Sequence, residues 1–174
     1  MKAFKDKEGK VRLFRPMENM KRFGTSCNRI ALPIPDPENL LSLIKTLVNL
    51  DQDYIPTERG SSLYIRPFAI SMSNVLGIRS AVQSRVTVIT SPVGGYFEGE
   101  IRLGICEHYQ QGSKKSANAF KIGANYAPTI QVTSEMKNRG LNQSLWLHDG
   151  YISESGATNI FFYLRCPKTK YYLY

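Results

Sequence analysis

Two short segments of this 174-residue chain hold residue types that could do chemistry. In Phe120-Lys121-Ile122-Gly123-Ala124-Asn125-Tyr126-Ala127-Pro128, a lysine sits among apolar and small residues, five positions before a tyrosine. In Ser153-Glu154-Ser155-Gly156-Ala157-Thr158-Asn159, a carboxylate at a strand end precedes a tight turn of small residues. A lysine amine can act as a nucleophile, and a carboxylate can hold or release a proton. Taken singly, Lys121 reads as a surface lysine and Glu154 as a turn carboxylate, where these residue types are usually found. Other chemistries have weaker claims. His108 and His148 stand apart, so no metal site is expected. No Gly-x-Ser-x-Gly elbow and no phosphate-loop pattern occurs. Cys27, Cys106 and Cys166 are far apart and odd in number. They make neither a disulfide framework nor a zinc pattern, and point to a reducing, intracellular setting.

The elements that must position these groups follow from patterning. Hydrophobic residues make up 42% of the chain and charged residues 21%, the balance of a globular fold with a buried core. No apolar run approaches the roughly 18 residues that span a bilayer, so no membrane partner is expected. Met1 to Lys7 carries basic residues with no apolar stretch behind them, so no signal peptide is expected. The net charge is +9, but the positive residues are dispersed and their one cluster, Lys114-Lys115, is short. That distribution argues against nucleic acid and for a solvated surface or a site for small anions.

Val11–Phe14 reads as a short strand. Pro16 opens a helix in which Met20, Phe23, Cys27 and Ile30 share one face. Pro33 to Pro37 breaks it. Asp36 caps a second helix, with Leu40, Leu43, Ile44, Leu47 and Val48 on its apolar side. Ser62–Pro67 and Arg85–Thr90 alternate as strands, and Ser91–Gly95 reads as a break and linker. Ile101–Cys106 is a further strand, Gln110–Ala119 a loop. A helix runs from Pro128 to a C-cap near Gly140. Asp149-Gly150 joins Leu145-Trp146-Leu147 to Tyr151-Ile152-Ser153 as a hairpin, and Asn159–Leu164 is a last strand. The fold class is α+β, in two mixed units.

Several segments in register resemble the branched-chain amino acid aminotransferases, pyridoxal-phosphate enzymes of fold type IV. Met1-Lys2-Ala3-Phe4 is similar to the family's Gly-Met-Lys-Ala-Phe. Arg15-Pro16 with Asn19-Met20-Lys21-Arg22 resembles its Arg-Pro-x-x-Asn-Met-x-Arg. Leu63–Pro67 contains its Tyr-Ile-Arg-Pro strand, and Ser91–Phe97 resembles its interdomain loop. Lys121–Tyr126 is similar to its Lys-x-Gly-Gly-Asn-Tyr. Leu145-Trp146-Leu147 and Glu154–Phe161 complete the series. The resemblance implies a partial small α/β domain at 1–93, an interdomain loop at 94–102, and the first part of the larger cofactor domain at 103–174.

The resemblance also implies roles. Lys121 would condense with the aldehyde of pyridoxal 5'-phosphate and move protons, as transamination requires of one residue. Glu154 would keep the pyridine nitrogen protonated, Tyr126 would hydrogen-bond the ring phenol, and Arg22 would hold the phosphate. Tyr64 would line an aliphatic side-chain pocket, Arg66 would accept a distal carboxylate, and Tyr96 would belong to a loop over the site. Backbone at Ala157 and Thr158 would face the substrate carboxylate. The implied reaction moves an amino group between leucine, isoleucine or valine and 2-oxoglutarate. A homodimer, in the cytosol or mitochondria, is the implied setting.

The chain departs from the family at Gly123-Ala124, and at Ser113–Ala119, where a glycine-rich stretch is usual. Family members are roughly twice as long. The resemblance therefore implies truncation at both ends, with an exposed apolar face and open strand edges. It leaves open a non-catalytic remnant of such an enzyme, and two neighbouring fold type IV activities, D-amino acid aminotransferase and aminodeoxychorismate lyase.

Overall fold

A computed structural model describes residues 1–95, 97, 99–109, 117–156 and 158–164, and the backbone alone of 172–173. The chain divides into two compact units, Met1–Glu98 and Gly99–Tyr174.

The first unit is a four-stranded antiparallel sheet with two helices. Its strands are β1 (Lys2–Lys5), β2 (Val11–Leu13), β3 (Ser62–Ser71) and β4 (Ser84–Val93), in the order β2-β1-β3-β4. α1 spans Pro16–Arg29 and α2 spans Pro37–Leu50. The Asp36 carboxylate accepts from the Asn39 N–H at 2.7 Å, which satisfies one of the orphan donors at the start of α2. α2 buries Leu40, Leu41, Ile44 and Val48 against Ala3, Leu63 and Ile65 of the sheet. Leu43 lies off this stripe and is 60% exposed, contrary to the sequence expectation. At 100° per residue the face centred on Ile44 takes Leu41 in its place. Ile44 itself is fully buried. Ile44→Ala is expected to cost about 2–5 kcal/mol by urea unfolding, the range for a buried aliphatic truncation.

Strand ends differ from the sequence reading. Lys2–Lys5 forms a strand that its charged alternation hides. β3 continues through Pro67, and β4 through Pro92 to Val93, where a break was expected. Both prolines are tolerated for geometric reasons. The Ile65 N–H donates to the Met1 carbonyl, so Pro67, two residues on, aims its missing donor past the end of β1. β4 is the edge strand, where one side of the ladder is free.

In the second unit, β5 (Leu103–Cys106) and β6 (Gln143–His148) pair in parallel through a crossover containing α3 (Thr129–Asn138). β7 (Tyr151–Ser155) returns antiparallel to β6. Asp149 and Gly150, at φ 51° and 78°, make the two-residue turn whose twist suits a hairpin. Val132 and Met136 of α3 pack on Cys106 and Trp146. The β6–β7 ladder shifts by one residue between Trp146 and Leu147: Leu147 faces Ile152, but Trp146 faces Glu154. Ser153 is the extra residue, and its hydroxyl donates to the Trp146 carbonyl at 3.2 Å. Asn159–Phe162, expected as strand, lies outside the ladders. Only Tyr163–Leu164 (β8) pairs, with Tyr172–Leu173 (β9). The cause lies at Ser155–Thr158, where a local bridge turns the chain out of β7.

Candidate active site

Lys121 lies between two single 3-10 turns, Ala117–Ala119 and Gly123–Asn125. Ile122, beside it, is buried and pins the backbone, while the Lys121 side chain is exposed. The Gly123–Asn125 turn folds the chain back, so that Tyr126 comes over Lys121. The Lys121 ammonium donates to the Tyr126 hydroxyl and lies 4.9 Å from the ring centroid. Asn125 holds this loop shut. Its Nδ2 donates to the carbonyls of Ala117 and Phe120, each at 2.8 Å. Sequence reasoning assigned Asn125 no role. Its only signal was its place before Tyr126, because an amide bridging two carbonyls leaves no periodicity.

Glu154 reaches the same place from β7. Opposite residues of an antiparallel pair share a face, so Glu154 shares that of Trp146, which packs on α3. Partial burial raises the Glu154 carboxyl above its ordinary pKa, while the nearby Lys121 ammonium pulls it down. Lys121, Tyr126 and Glu154 are thus gathered at one place in the second unit.

The turn after Glu154 is tightly built. Gly156 sits at φ 45°, and its N–H donates to the Ser144 carbonyl at 2.8 Å. A Cβ there would stand 1.6 Å from the Oε1 of Gln143, a side chain that is only 8% exposed. Gly156→Ala is therefore expected to destabilise the unit by about 2–4 kcal/mol, from left-handed strain plus overpacking. Chemical unfolding of the variant measures it; an unchanged midpoint would mean that the turn is looser than described. Gln143 was also missed by sequence reasoning, since nothing marks a buried glutamine at a strand start. The Thr158 N–H donates to the Ser155 carbonyl at 3.0 Å and is engaged in the turn. Ala157 lies outside the described residues, as does Tyr96.

The other expected residues lie in the first unit. Tyr64 and Arg66 occupy alternate positions of β3, on the face opposite the buried Leu63 and Ile65, with the guanidinium 5.2 Å from the tyrosine ring. Arg22 lies on α1, exposed, and donates through Nη2 to Asn19 Oδ1 at 3.0 Å. No group of three or more His, Cys, Asp or Glu that could hold a metal ion occurs among the described residues, and no helix there is long and apolar enough to cross a membrane.

Residues 3–166 match the family model described as amino-transferase class IV. The chain belongs to that family. Class IV relatives of known name point to one branch of it. The chain is 44% identical over 164 residues to the branched-chain-amino-acid aminotransferase of Dictyostelium discoideum, covering 92% of this chain and 43% of that protein. It is 35% identical over 169 residues to branched-chain-amino-acid transaminase 1 of Bacillus subtilis (strain 168), covering 93% and 48%. Among solved structures, a bacterial-type branched-chain amino acid aminotransferase complexed with N-(5'-phosphopyridoxyl)-L-glutamate is similar at a TM-score of 0.74 and 27% identity, over 92% of this chain and 51% of that one. The enzyme of Thermoproteus uzoniensis with norvaline is similar at a TM-score of 0.72 and 26% identity, over 92% and 53%. This class IV chain thus has the fold type IV aminotransferase architecture over about half the length of the proteins it matches.

Proposed function

We propose that this chain carries the amine-bearing half of an enzyme that transfers amino groups between branched-chain L-amino acids and 2-oxoglutarate with pyridoxal 5'-phosphate. The observation that carries the reading is the Lys121 amine hydrogen-bonded to Tyr126 with the Glu154 carboxylate in electrostatic reach. That donor set fits the cofactor: an amine for an aldehyde, a phenol for a ring oxygen, and a carboxylate for a protonated ring nitrogen. No atom lies within 4 Å of where a Cβ would be on Gly123, so the turn beside Lys121 is open to a planar ring. The named relatives supply the substrate class. Complexes of one structural relative with a phosphopyridoxyl-glutamate and with 4-methylvaleric acid support a site that takes both glutamate-like and leucine-like molecules.

When bound, pyridoxal phosphate supplies the electron sink for charge developing at the substrate α-carbon. Lys121 Nζ removes the α-proton and returns it, and is the attachment point between turnovers. Tyr126 holds that nitrogen by its hydroxyl and orients it. Glu154, as the carboxylate, holds the proton of the ring nitrogen in place. Arg22 binds the phosphate with its planar fork. Tyr64 borders the aliphatic side chain, with Tyr96 and Ala157 at the same pocket, and Arg66 accepts the second carboxylate of glutamate. Residues 1–93 form the small domain, 94–102 the connection and 103–174 the start of the cofactor domain. A homodimer in the cytosol or in mitochondria is part of the same reading; a Bos taurus relative is named as mitochondrial.

The test is a pyridoxal-phosphate titration of the chain followed by visible absorbance, then by amino transfer from leucine to 2-oxoglutarate. A saturable absorbance band that leucine bleaches supports the reading. Folded protein that gives no band removes it.

A further inference from the structure

The start of α1 holds a second built feature. Arg15 has a left-handed backbone (φ 43°, ψ 52°) immediately before Pro16. This conformation turns the Arg15 carbonyl toward the first helical turn, where it accepts from Asn19 Nδ2 at 3.3 Å. The other end of the same amide, Oδ1, accepts from Arg22 Nη2 at 3.0 Å. The spacing 15, 19, 22 is i, i+4, i+7 along a helix, so the three residues lie on one face. Phe14, Arg15, Glu18, Asn19 and Arg22 line an open recess of ≈390 Å³. Glu18 is the one acidic side chain there, and Lys21 draws it aside with an ion pair at 3.2 Å. The recess is left with the two guanidinium groups as its unopposed charges.

A guanidinium has five N–H donors. Asn19 takes one from Arg22, which fixes the plane of the fork and leaves its other donors for an anion. Arginine is otherwise a long, rotamer-rich side chain whose ordering costs entropy on binding. Asn19 makes part of that ordering in advance.

We propose that Asn19 is a positioning residue: it pre-orients Arg22 so that the recess at the start of α1 binds a phosphate monoester, which is the phosphate of the cofactor in the reading above. The inference rests on that reading for the identity of the monoester, and on the recess alone for phosphate as a ligand class.

The experiment compares pyridoxal phosphate with pyridoxal, which lacks the phosphate, on the full chain and on Asn19→Ala, Arg22→Ala and the double variant. Asn19→Ala is expected to weaken pyridoxal-phosphate binding about tenfold, the scale of one hydrogen bond to a charged group, and to leave pyridoxal binding unchanged. The double variant is expected to bind no more weakly than Arg22→Ala, because Asn19 acts only through Arg22. Affinity within about twofold of the unmodified chain in Asn19→Ala, or additive losses in the double variant, overturns the role of Asn19. A second readout separates the two claims. Inorganic phosphate is titrated into ¹⁵N-labelled chain and the Arg22 Nε resonance followed. If neither pyridoxal compound binds but phosphate shifts this resonance, and Asn19→Ala blunts the shift, the cofactor reading fails and the recess stands. If phosphate leaves the resonance unmoved, the inference fails as well.

Discussion

Lys121→Ala is expected to reduce amino transfer by about 10⁴-fold or more and to abolish the visible band with pyridoxal phosphate, because one atom carries both attachment and proton movement. No neighbour takes over. Tyr126 bears a phenol, which holds its proton near neutral pH, and Glu154 is engaged at the ring nitrogen. The loss is chemical rather than structural. The loop around Lys121 is held by Ile122 and by the two carbonyl contacts of Asn125, none of which involves the lysine side chain. The urea midpoint of the variant is therefore expected to stay within about 0.5 kcal/mol of the unmodified chain. A small added amine should restore part of the transfer, since truncation to alanine leaves space for it. A variant that keeps its band, or retains more than about 1% of the rate, removes Lys121 from the reaction.

Glu154→Gln is expected to slow transfer about 10–100-fold, the value of one charge-assisted hydrogen bond of about 1.5–3 kcal/mol exchanged for a neutral one. Shape is nearly conserved, so the change isolates the charge. The same substitution has a pH signature in the chain without cofactor. Burial raises the Glu154 pKa, so the native state holds a proton that the unfolded state has lost. Stability contributed by that proton is present at acid pH and falls as pH rises from the ordinary carboxylate value through the raised one. Glutamine removes this decline. A cation placed against the carboxylate works in the opposite sense and favours the ionised form, so cofactor should flatten the decline in the unmodified chain. Urea unfolding at several pH values, with and without pyridoxal phosphate, reads both effects. A decline of equal size in Glu154→Gln would assign it to another group.

How much of this was legible depended on how local the cause was. Asp36 and the Asp149-Gly150 turn could be read because a cap and a two-residue turn need only their own side chains and backbone. The motif around Lys121 placed the amine and the phenol together, because five residues separate them and a single turn closes the gap. What could not be read depended on partners distant in sequence. β1 alternates charged and apolar residues over four positions and is a strand because Leu63 and Tyr64 lie alongside it. Pro67 and Pro92 look like strand breakers until the open sides of their ladders are known. The Asn19 amide and the buried Gln143 leave no pattern at all, since each works through one contact.

The extra residue in β7 has a consequence for how such a chain can change. Counted from the Asp149-Gly150 turn, an uninterrupted ladder would set Ser153 opposite Trp146 and Glu154 opposite Leu145, with the carboxylate on the face away from α3. The position of that carboxylate is therefore a matter of odd and even. Substitutions along the hairpin leave the count alone, whereas loss or gain of a single codon between the turn and Glu154 inverts it. Two such events together restore it. Over generations the hairpin can drift freely in composition and hardly at all in length, and its lengthening or shortening should come in steps of two.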